Sequence, residues 1–422
     1  MDVAHTVGGK FMDSPWNSGP RCTVHTTPTP PLAAPSRRHH RAARAVSALT
    51  TAALIAAGCG GTATKNPSTT TTTAPPPAFA IGIDERNPAL LAPGGTVEPF
   101  ARFQARLAEL HPTYVRVLID WSAVQPHANV PPDFAALKDG CARGVPPCAP
   151  YHGIRDTLRA VIKLGAEPIP LIYGTPDWAA QRPSGCERAG ITNYNRMPLI
   201  PPYKALVGGI KELFAAEHIE LRHLSPWNEP NTPIFLNPQR ATCAPGARSL
   251  AADRYAQLAR AAGDEVGLNH LLLGETAGID AHTHATGAAE LAAALPDDLV
   301  CGAAAWAQHA YVTAPGDNGA SADPVPLAHN AQIVGGVERA LDGHHCDHEV
   351  PVWITETGAG SRPGACPAMA AQLRAWQDDP RIKAAFQYTL RDDPIFPVGL
   401  ADAKLTKLYP AFEAWRTRTR CS

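Results

Sequence analysis

The chain of 422 residues carries little charge and no excess of either sign. Charged residues make up 18% of the sequence, below the roughly 25% of a typical soluble domain. The formal net charge is −1. Nucleic-acid binding normally requires a clustered excess of Lys and Arg that pairs with phosphates. The composition therefore argues against a nucleic-acid partner and suits an uncharged ligand.

Several common catalytic signatures are also missing. The sequence has no Gly-x-Ser-x-Gly elbow, no Walker loop and no His-Glu-x-x-His pair, which removes the usual esterase, nucleotide and metalloprotease interpretations. The segments 281–284 and 344–349 contain metal-ligand residue types, but neighbouring side chains of one loop rarely converge on a single ion. We therefore expect solvated loops there, and neither a metal site nor another cofactor is predicted.

Residues 1–58 are predicted to direct export. A basic stretch around Arg37 and Arg41 precedes an uncharged apolar run at 45–58. This run is shorter than the roughly 20 residues of a membrane-spanning helix and suits the core of a signal peptide. Its end resembles a bacterial lipobox, in which Cys59 would be lipidated and attach the protein to the cell surface. The motif prefers a branched aliphatic residue at Ala56, so cleavage followed by free secretion stays open.

Residues 59–78 are rich in Thr and Pro, with five consecutive threonines at 69–73. Such a segment cannot bury a core and is typical of a flexible linker. Beyond it lie eight cysteines, and an even number in an exported chain favours disulfides over metal sites. Cys141 and Cys148 bracket a Pro-rich loop and are predicted to pair. The partners of the other six cysteines stay open: Cys186, Cys243, Cys301, Cys346, Cys366 and Cys421.

From residue 79 to 422, strand-like apolar runs alternate with amphipathic helical patterns. Helical spacing is clear, for example, at Phe100, Phe103 and Leu107. The strand-like runs lie at 79–84, 114–120, 167–173, 221–226, 271–275, 303–309, 352–355 and 384–389. Eight strands each followed by a helix predict a single α/β domain, a (β/α)8 TIM barrel. The alternative, an open doubly wound sheet, would normally place a Gly-rich phosphate turn after its first strand.

Two glutamates follow strand-like runs in distinctive settings. Glu229 stands in Trp-Asn-Glu-Pro-Asn after the fourth predicted strand, and Glu356 stands in Ile-Thr-Glu-Thr-Gly after the seventh. In a TIM barrel both strand ends meet at the catalytic face. A retaining glycosidase needs two such carboxylates, one that protonates the leaving oxygen and later deprotonates water, and one that attacks the sugar carbon. Asn228 beside them can hydrogen-bond the sugar 2-hydroxyl.

With these motifs, the stretch from residue 79 to the end resembles a clan A glycoside hydrolase, similar to families 5 and 39. The resemblance implies that Glu229 is the acid/base and Glu356 the nucleophile. It also implies that Arg116 on the second strand lies beside the nucleophile. His309 and Tyr311, after the sixth strand, match the clan's His-x-Tyr, in which Tyr hydrogen-bonds the nucleophile and His lies near the acid/base.

Aromatic residues near strand ends are candidates for stacking on sugar rings. Trp121 is the tryptophan predicted to bind substrate; three others lie in similar positions, Trp178, Trp227 and Trp306. Tyr388 stands on the eighth strand, where family 5 usually has a sugar-stacking Trp, so this strand is closer to family 39. A third carboxylate, Glu275, follows the fifth strand and is expected to be structural or peripheral.

The sequence thus predicts an exported, cofactor-independent retaining hydrolase of a β-linked glycoside or polysaccharide. Its only predicted partner is the carbohydrate substrate, apart from membrane attachment through Cys59. Two alternatives stay open. One is a surface lipoprotein that binds carbohydrate without catalysis. The other is a transglycosylase that uses the same residues.

Overall fold

The computed structural model describes residues 79–422 except 95–96, 188, 283, 316–321, 325–326, 419 and 422. The predicted export segment, its candidate lipidation site Cys59 and the linker lie outside the described residues. Within the described part of the chain, no helix combines the length and apolar character needed to cross a membrane.

Seven parallel strands form one curled sheet, and two short antiparallel pairs lie in connecting segments. The strands are β1 (Ala80–Asp84), β2 (Tyr114–Asp120), β3 (Leu137–Lys138), β4 (Tyr151–His152), β5 (Glu167–Tyr173), β6 (Leu272–Thr276), β7 (Ala305–His309), β8 (Thr313–Pro315), β9 (Ala322–Pro324), β10 (Val352–Thr357) and β11 (Ile382–Tyr388). The sheet order is β5-β2-β1-β11-β10-β7-β6, while β3 pairs with β4 and β8 with β9. All neighbours in the large sheet are parallel, as expected when helices connect successive strands.

Helices follow the strands of the large sheet and cover its outer face. They are α1 (Pro88–Leu91), α2 (Phe100–Ala108), α3 (Trp121–Val124), α4 (Gly153–Leu164), α5 (Ile200–Ala216), α6 (Ala251–Val266), α7 (Ala288–Ala294), α8 (Asp297–Gly302), α9 (Leu327–Asp342), α10 (Ala365–Asp378) and α11 (Ala411–Thr417). The apolar spacing noted in α2 is confirmed, because Phe100, Phe103 and Leu107 are buried in the core. The curled parallel sheet with its helices is a fold of the TIM-barrel type.

The predicted fourth strand is the main correction to the expected fold. Residues 221–226 form no regular strand and instead make isolated parallel bridges, at Leu224 to Leu271 and at Ser225 to Leu171. The backbone N–H of Ser225 donates to the Pro170 carbonyl at 2.9 Å. Pro226 then ends the ladder, because proline has no N–H to donate. The segment still lies between β5 and β6 and is hydrogen-bonded to both.

An apolar floor fills the inside of the curled sheet. The rings of Tyr114, Trp353 and Phe386 pack together, with centroids 4.8 Å apart for Tyr114 and Trp353 and 6.1 Å apart for Trp353 and Phe386. Gly82 faces them, and a Cβ there would lie 2.1 Å from a Phe386 ring carbon, so the close approach requires glycine. Since side chains alternate along a strand, the next inward residue of β1 after Gly82 is Asp84. Polar groups therefore stand directly above this floor.

Four disulfides link the described residues. The predicted Cys141–Cys148 bridge is confirmed, and it closes a short loop between β3 and β4. The other pairs are Cys186–Cys243, Cys301–Cys346 and Cys366–Cys421. In the histidine-rich segment 344–349, His344 and His345 each contact Asp297 while Cys346 belongs to one of these bridges.

Candidate active site

Glu229 and Glu356 lie together at the carboxyl ends of the strands. Glu356 is part of β10, and Glu229 follows the bridged segment between β5 and β6. One carboxylate oxygen from each, together with a ring nitrogen of His309, all lie within 4.8 Å of one another. Glu356 is 6% exposed, and the side chain of Glu229 is 17% exposed. The structure thus brings the two glutamates together, with Glu356 the more deeply buried of the two.

Glu356 is held by two hydrogen-bond donors and a nearby cation. Arg116 Nη1 donates to Glu356 Oε1 at 2.7 Å, the Tyr311 hydroxyl donates to Oε2, and His309 Nδ1 lies 3.5 Å from Oε2. Burial alone would raise the pKa of Glu356, but the charges of His309 and Arg116 and the bond from Tyr311 outweigh burial and lower it. Glu356 is therefore ionised at neutral pH.

Arg116 connects several acidic groups beneath the site. Its guanidinium donates to Asp84 at 2.6 Å, to Glu356 at 2.7 Å and to Glu275 at 3.0 Å. The side chain has no exposed surface. Arg116 thus lies beside Glu356, in the position that the resemblance implies, and contacts the buried carboxylates of the cluster.

His309 bridges two of the glutamates. Its Nδ1 lies 2.9 Å from Glu229 Oε1, and its Nε2 lies 2.9 Å from Glu275 Oε2. Burial lowers the pKa of His309, but Glu356, Glu229 and Glu275 outweigh this and raise it to about 10. Both ring nitrogens therefore carry protons at neutral pH and donate. A metal ion held by His309, Glu229 and Glu356 would have to displace a proton from this ring.

Glu275 is at the centre of the cluster, not at its periphery. Its carboxylate is fully buried and accepts bonds from Arg116, His309, Thr355 and Ser225. Burial raises the pKa of Glu275, yet these donors together hold it at about 2. The register between β6 and β7 shifts at this residue, and such a bulge re-aims a side chain. The expected structural role is right, but the expected peripheral position is wrong.

Asp84 is a site residue that the sequence reasoning missed. It is fully buried, and burial raises its pKa well above the ordinary value despite the opposing charge of Arg116. Among the residues that the structure describes, its Oδ1 has no hydrogen-bond partner. The signal in the sequence was its position, since Asp84 ends the first strand and points inward with Gly82.

Asn228 presents an available acceptor beside Glu229. Its backbone N–H donates to the Ile172 carbonyl at 3.0 Å, and the residue is 7% exposed. The side-chain Oδ1 is buried and makes no hydrogen bond within the described residues. A buried amide oxygen without a partner is costly, so a ligand hydroxyl would be a favourable occupant.

Trp121 does not lie in the site, and the expectation that it binds substrate is wrong. It is completely buried, with edge contacts to Trp178 and Tyr203 at centroid distances of 5.8 and 6.1 Å. Its indole N–H donates to Gln125 at 2.8 Å. α3 begins at Trp121, which turns the ring outward into the helix layer. Trp227 and Trp306 are buried as well.

Tyr388 borders a cavity of about 330 Å³ at the ends of β1, β2, β5 and β11. Its hydroxyl accepts a bond from Arg86 Nη2 at 2.9 Å, and its ring lies 6.5 Å from that of Tyr311. The predicted position of Tyr388 near the substrate is consistent with this cavity. Arg86 was not singled out from the sequence, because an arginine in a strand-end loop is usually only solvated.

The curled parallel sheet carries its buried carboxylates at the strand ends, where TIM-barrel enzymes place their active sites. No protein-family model and no curated protein sequence matches the chain. Solved structures do match. GH5_18 from Bifidobacterium longum subsp. longum ATCC 55813, as a variant in complex with Manβ1-4GlcNAc, aligns over 81% of this chain and 77% of its own at 14% identity and a TM-score of 0.51.

GH5_18 from Streptomyces cattleya in complex with GlcNAc aligns over 81% of this chain and 82% of its own, at 17% identity and a TM-score of 0.50. The chain spans only 59% of an exo-β-1,4-mannosidase from Opitutaceae bacterium strain TAV5 and 62% of a family 39 glycoside hydrolase from Bacteroides cellulosilyticus WH2, at TM-scores of 0.49 and 0.47. The likeness to the two GH5_18 structures extends over 81% of the chain at low identity. At this identity it establishes the fold.

Proposed function

We propose that the protein is a retaining glycoside hydrolase with Glu356 as nucleophile and Glu229 as acid/base. The observation that carries the proposal is the separation of these carboxylates, which approach within 4.8 Å. Retaining enzymes hold their two carboxyl groups about 5–5.5 Å apart, whereas inverting enzymes leave about 6.5–9.5 Å for a water molecule. The nearest oxygens of Glu356 and Glu229 therefore fit the retaining spacing better than the inverting one, which favours direct attack by a carboxylate.

In the first step, a carboxylate oxygen of Glu356 attacks the anomeric carbon while the glycosidic C–O bond breaks. Glu229 gives its proton to the departing oxygen. Since His309 donates to Oε1 of Glu229, we place that proton on Oε2. Arg116 and Tyr311 hold Glu356 ionised and in position for this attack. The product is a glycosyl ester on Glu356.

In the second step, the now ionised Glu229 takes a proton from water. The resulting hydroxide attacks the anomeric carbon, and the ester bond to Glu356 breaks with return of its electron pair. Two inversions restore the starting configuration. Through both steps, cationic His309 stays between Glu229 and Glu275 and limits the build-up of negative charge when Glu229 is ionised.

Asn228 and the overall architecture support the same proposal. The unpaired Oδ1 of Asn228 suits a bond from the sugar 2-hydroxyl that strengthens in the transition state. The bridged segment around Ser225 lies where the remaining strand of a closed (β/α)8 barrel belongs, and we propose that closure. Because the neighbouring structures bind Manβ1-4GlcNAc and GlcNAc, β-1,4-linked mannosides are the first substrates to test, with glucosides as a comparison.

The test is turnover of an aryl β-glycoside panel by wild type, Glu356→Gln and Glu229→Gln. Loss of about 10³-fold or more in kcat for Glu356→Gln is expected, on the scale of removing a catalytic group. NMR of the first product should show the β-anomer. Wild-type activity in Glu356→Gln, or the α-anomer formed first, would overturn the proposal. The matched control is Glu349→Gln, an exposed glutamate outside the site.

The two alternatives differ in these outcomes. A non-catalytic binder would hold oligosaccharides equally well as wild type and as Glu356→Gln and would hydrolyse none. A transglycosylase would lose activity in Glu356→Gln but would yield longer saccharides in place of the free sugar.

Export and lipid attachment through Cys59 are part of the proposal. The four disulfides of the described residues are compatible with an oxidising compartment. Growth with a radiolabelled fatty acid should label the wild type and leave Cys59→Ser unlabelled. Equal labelling of both would exclude lipidation at Cys59.

A further inference from the structure

The cavity beside Tyr388 has three walls built from separate loops. One wall is the turn after β1 with Arg86, the second is the loop after β11 with Asp393, and the third is the connection from β2 to α4 with the Cys141–Cys148 loop. The volume of about 330 Å³ is at the low end of small-molecule sites, roughly 300–1,000 Å³. It suits a small saccharide unit better than a long polymer.

The third wall, formed by the Cys141–Cys148 loop, is bonded to the other two walls. Arg143, inside the disulfide loop, donates to Asp393 at 2.6 Å. Arg391 donates to the Val145 carbonyl at 2.8 Å, and Asn87 donates to the Gly140 carbonyl at 2.9 Å. Together with the Cys141–Cys148 bridge, these contacts join the loop to the turn after β1 and to the loop after β11. The loop that forms this wall is therefore held in place by a disulfide, an ion pair and two hydrogen bonds.

Tyr388 connects the cavity lining with the residues around Glu356. It lines the cavity and lies next to Tyr311, whose hydroxyl is bonded to Glu356. Phe396 packs against both tyrosine rings, at 4.9 Å from Tyr311 and 5.7 Å from Tyr388. A sugar held as an ester on Glu356 would thus have the cavity beside it, reached past Tyr388.

The lining offers donors for sugar hydroxyls. Arg86 is exposed to the cavity, and its one side-chain hydrogen bond runs to the Tyr388 hydroxyl. Within the described residues no carboxylate forms an ion pair with it. The hydroxyls of Tyr151 and Tyr173 also border the cavity, and burial raises the pKa of both tyrosines, so both remain protonated donors.

We propose that this cavity is a closed pocket for the non-reducing end of the substrate, and that the enzyme is exo-acting. A chain whose end sits against the Cys141–Cys148 loop can place only a bond near that end between Glu229 and Glu356. This inference rests on the proposed function, because it assigns the glycone to the side of Glu356. The pocket would determine which glycosidic bond of the substrate is cut, whereas the proposed function concerns the mechanism by which a bond is cut.

The experiment uses β-1,4-linked hexasaccharides of mannose and of glucose, labelled at the reducing end with a fluorophore. Wild-type enzyme should shorten the labelled chain stepwise from its non-reducing end. A hexasaccharide whose terminal 4- and 6-hydroxyls are blocked by a benzylidene group should be cut at least about tenfold more slowly. Random internal products, or equal cleavage of the blocked chain, would overturn the inference even if the proposed function is correct.

The second experiment removes the disulfide and the ion pair that hold the Cys141–Cys148 loop in place. The variant Cys141→Ser/Cys148→Ser with Arg143→Ala should gain internal cleavage relative to end release by about tenfold. The matched control, Cys366→Ser/Cys421→Ser, removes a disulfide that does not border the cavity and should keep the wild-type product pattern. An unchanged pattern in the opened variant would contradict the assigned wall.

A binding arm decides the matter if no substrate in the panel is turned over. In the Glu356→Gln background, calorimetry should detect binding of the β-1,4-linked disaccharides of mannose or of glucose. Arg86→Ala should weaken this binding by about tenfold. Binding of the hexasaccharide that is unaffected by Arg86→Ala, or absence of disaccharide binding, would exclude the cavity as the end pocket.

Discussion

The backbone N–H of Glu229 donates to the carbonyl oxygen of Glu275 at 2.9 Å. Both residues have positive φ, 37° and 47°, a region that costs a non-glycine residue about 1–3 kcal/mol. The carboxylates of the same two residues also accept hydrogen bonds from the two ring nitrogens of His309. Glu229 and Glu275 are thus joined in two ways, by this backbone hydrogen bond and through the imidazole of His309.

Replacing Glu275 with Gln should weaken both stability and catalysis. The change removes the charge that pairs with Arg116 and His309, and leaving buried charges uncompensated costs about 3–5 kcal/mol. We expect the free energy of unfolding in urea to fall by roughly 2–4 kcal/mol and kcat to fall with it, because His309 loses the partner that orients its ring. Unchanged unfolding and unchanged kcat would show that Glu275 is peripheral after all.

Asp84→Asn should be much milder than Glu275→Gln, although both carboxyls contact Arg116. The raised pKa of Asp84 favours its neutral form, which asparagine resembles in shape and charge, whereas the pKa of Glu275 is about 2. We expect less than about 1 kcal/mol of destabilisation, measured by the same urea unfolding. A loss as large as that of Glu275→Gln would contradict the raised pKa of Asp84.

Tyr311→Phe tests the support of the nucleophile. Without the phenol bond to its Oε2, Glu356 is a weaker acid, so the acidic limb of the kcat/KM pH profile should move to higher pH and kcat should fall by about 10–100-fold. Tyr409→Phe is the matched control, since it removes a phenol bond to a different carboxylate, that of Asp392. A pH profile that shifts equally in both variants, or in neither, would argue against this role.

The stabilising contributions of His309 and Glu275 should be lost at opposite ends of the pH range. The folded-state pKa of His309, about 10, exceeds its ordinary 6.5, so its contribution is complete below pH 6.5 and is lost as pH rises toward 10. For Glu275 the pKa drops from 4.5 to about 2, so its contribution is complete above pH 4.5 and is lost as pH falls toward 2.

Urea unfolding across pH measures both contributions. His309→Gln should flatten the alkaline decline between pH 6.5 and 10, and Glu275→Gln should flatten the acidic decline between pH 4.5 and 2. Each variant should leave most of the opposite limb in place. Parallel curves for wild type and either variant would contradict the corresponding pKa shift.

Local sequence was sufficient for most of the fold and for four residues of the candidate site. β2 and β5 have the predicted bounds, because β-branched and apolar residues alternate or run continuously there. Glu229, Glu356, His309 and Tyr311 were identified by the short motifs around them. Each motif follows a strand, and strand ends converge in this architecture whatever the details of the loops.

What sequence could not supply depended on three-dimensional detail. The bulge that turns Glu275 inward leaves no trace in the hydrophobic pattern, so its central position was missed. Trp121 at a strand end could equally face the mouth or the helix layer, and only the start of α3 decides this. The bridge partners of Cys186, Cys301 and Cys366 required the packing of distant elements.

The most direct test of the account is to trap the covalent intermediate. An activated 2-deoxy-2-fluoro β-glycoside of the preferred sugar slows the second step more than the first, so the ester should accumulate. Intact mass should rise by one fluoroglycosyl unit, and peptide mapping should place it on Glu356. Labelling of another residue, or full turnover of the parent glycoside with no label at all, would contradict the assignment of Glu356 as the nucleophile.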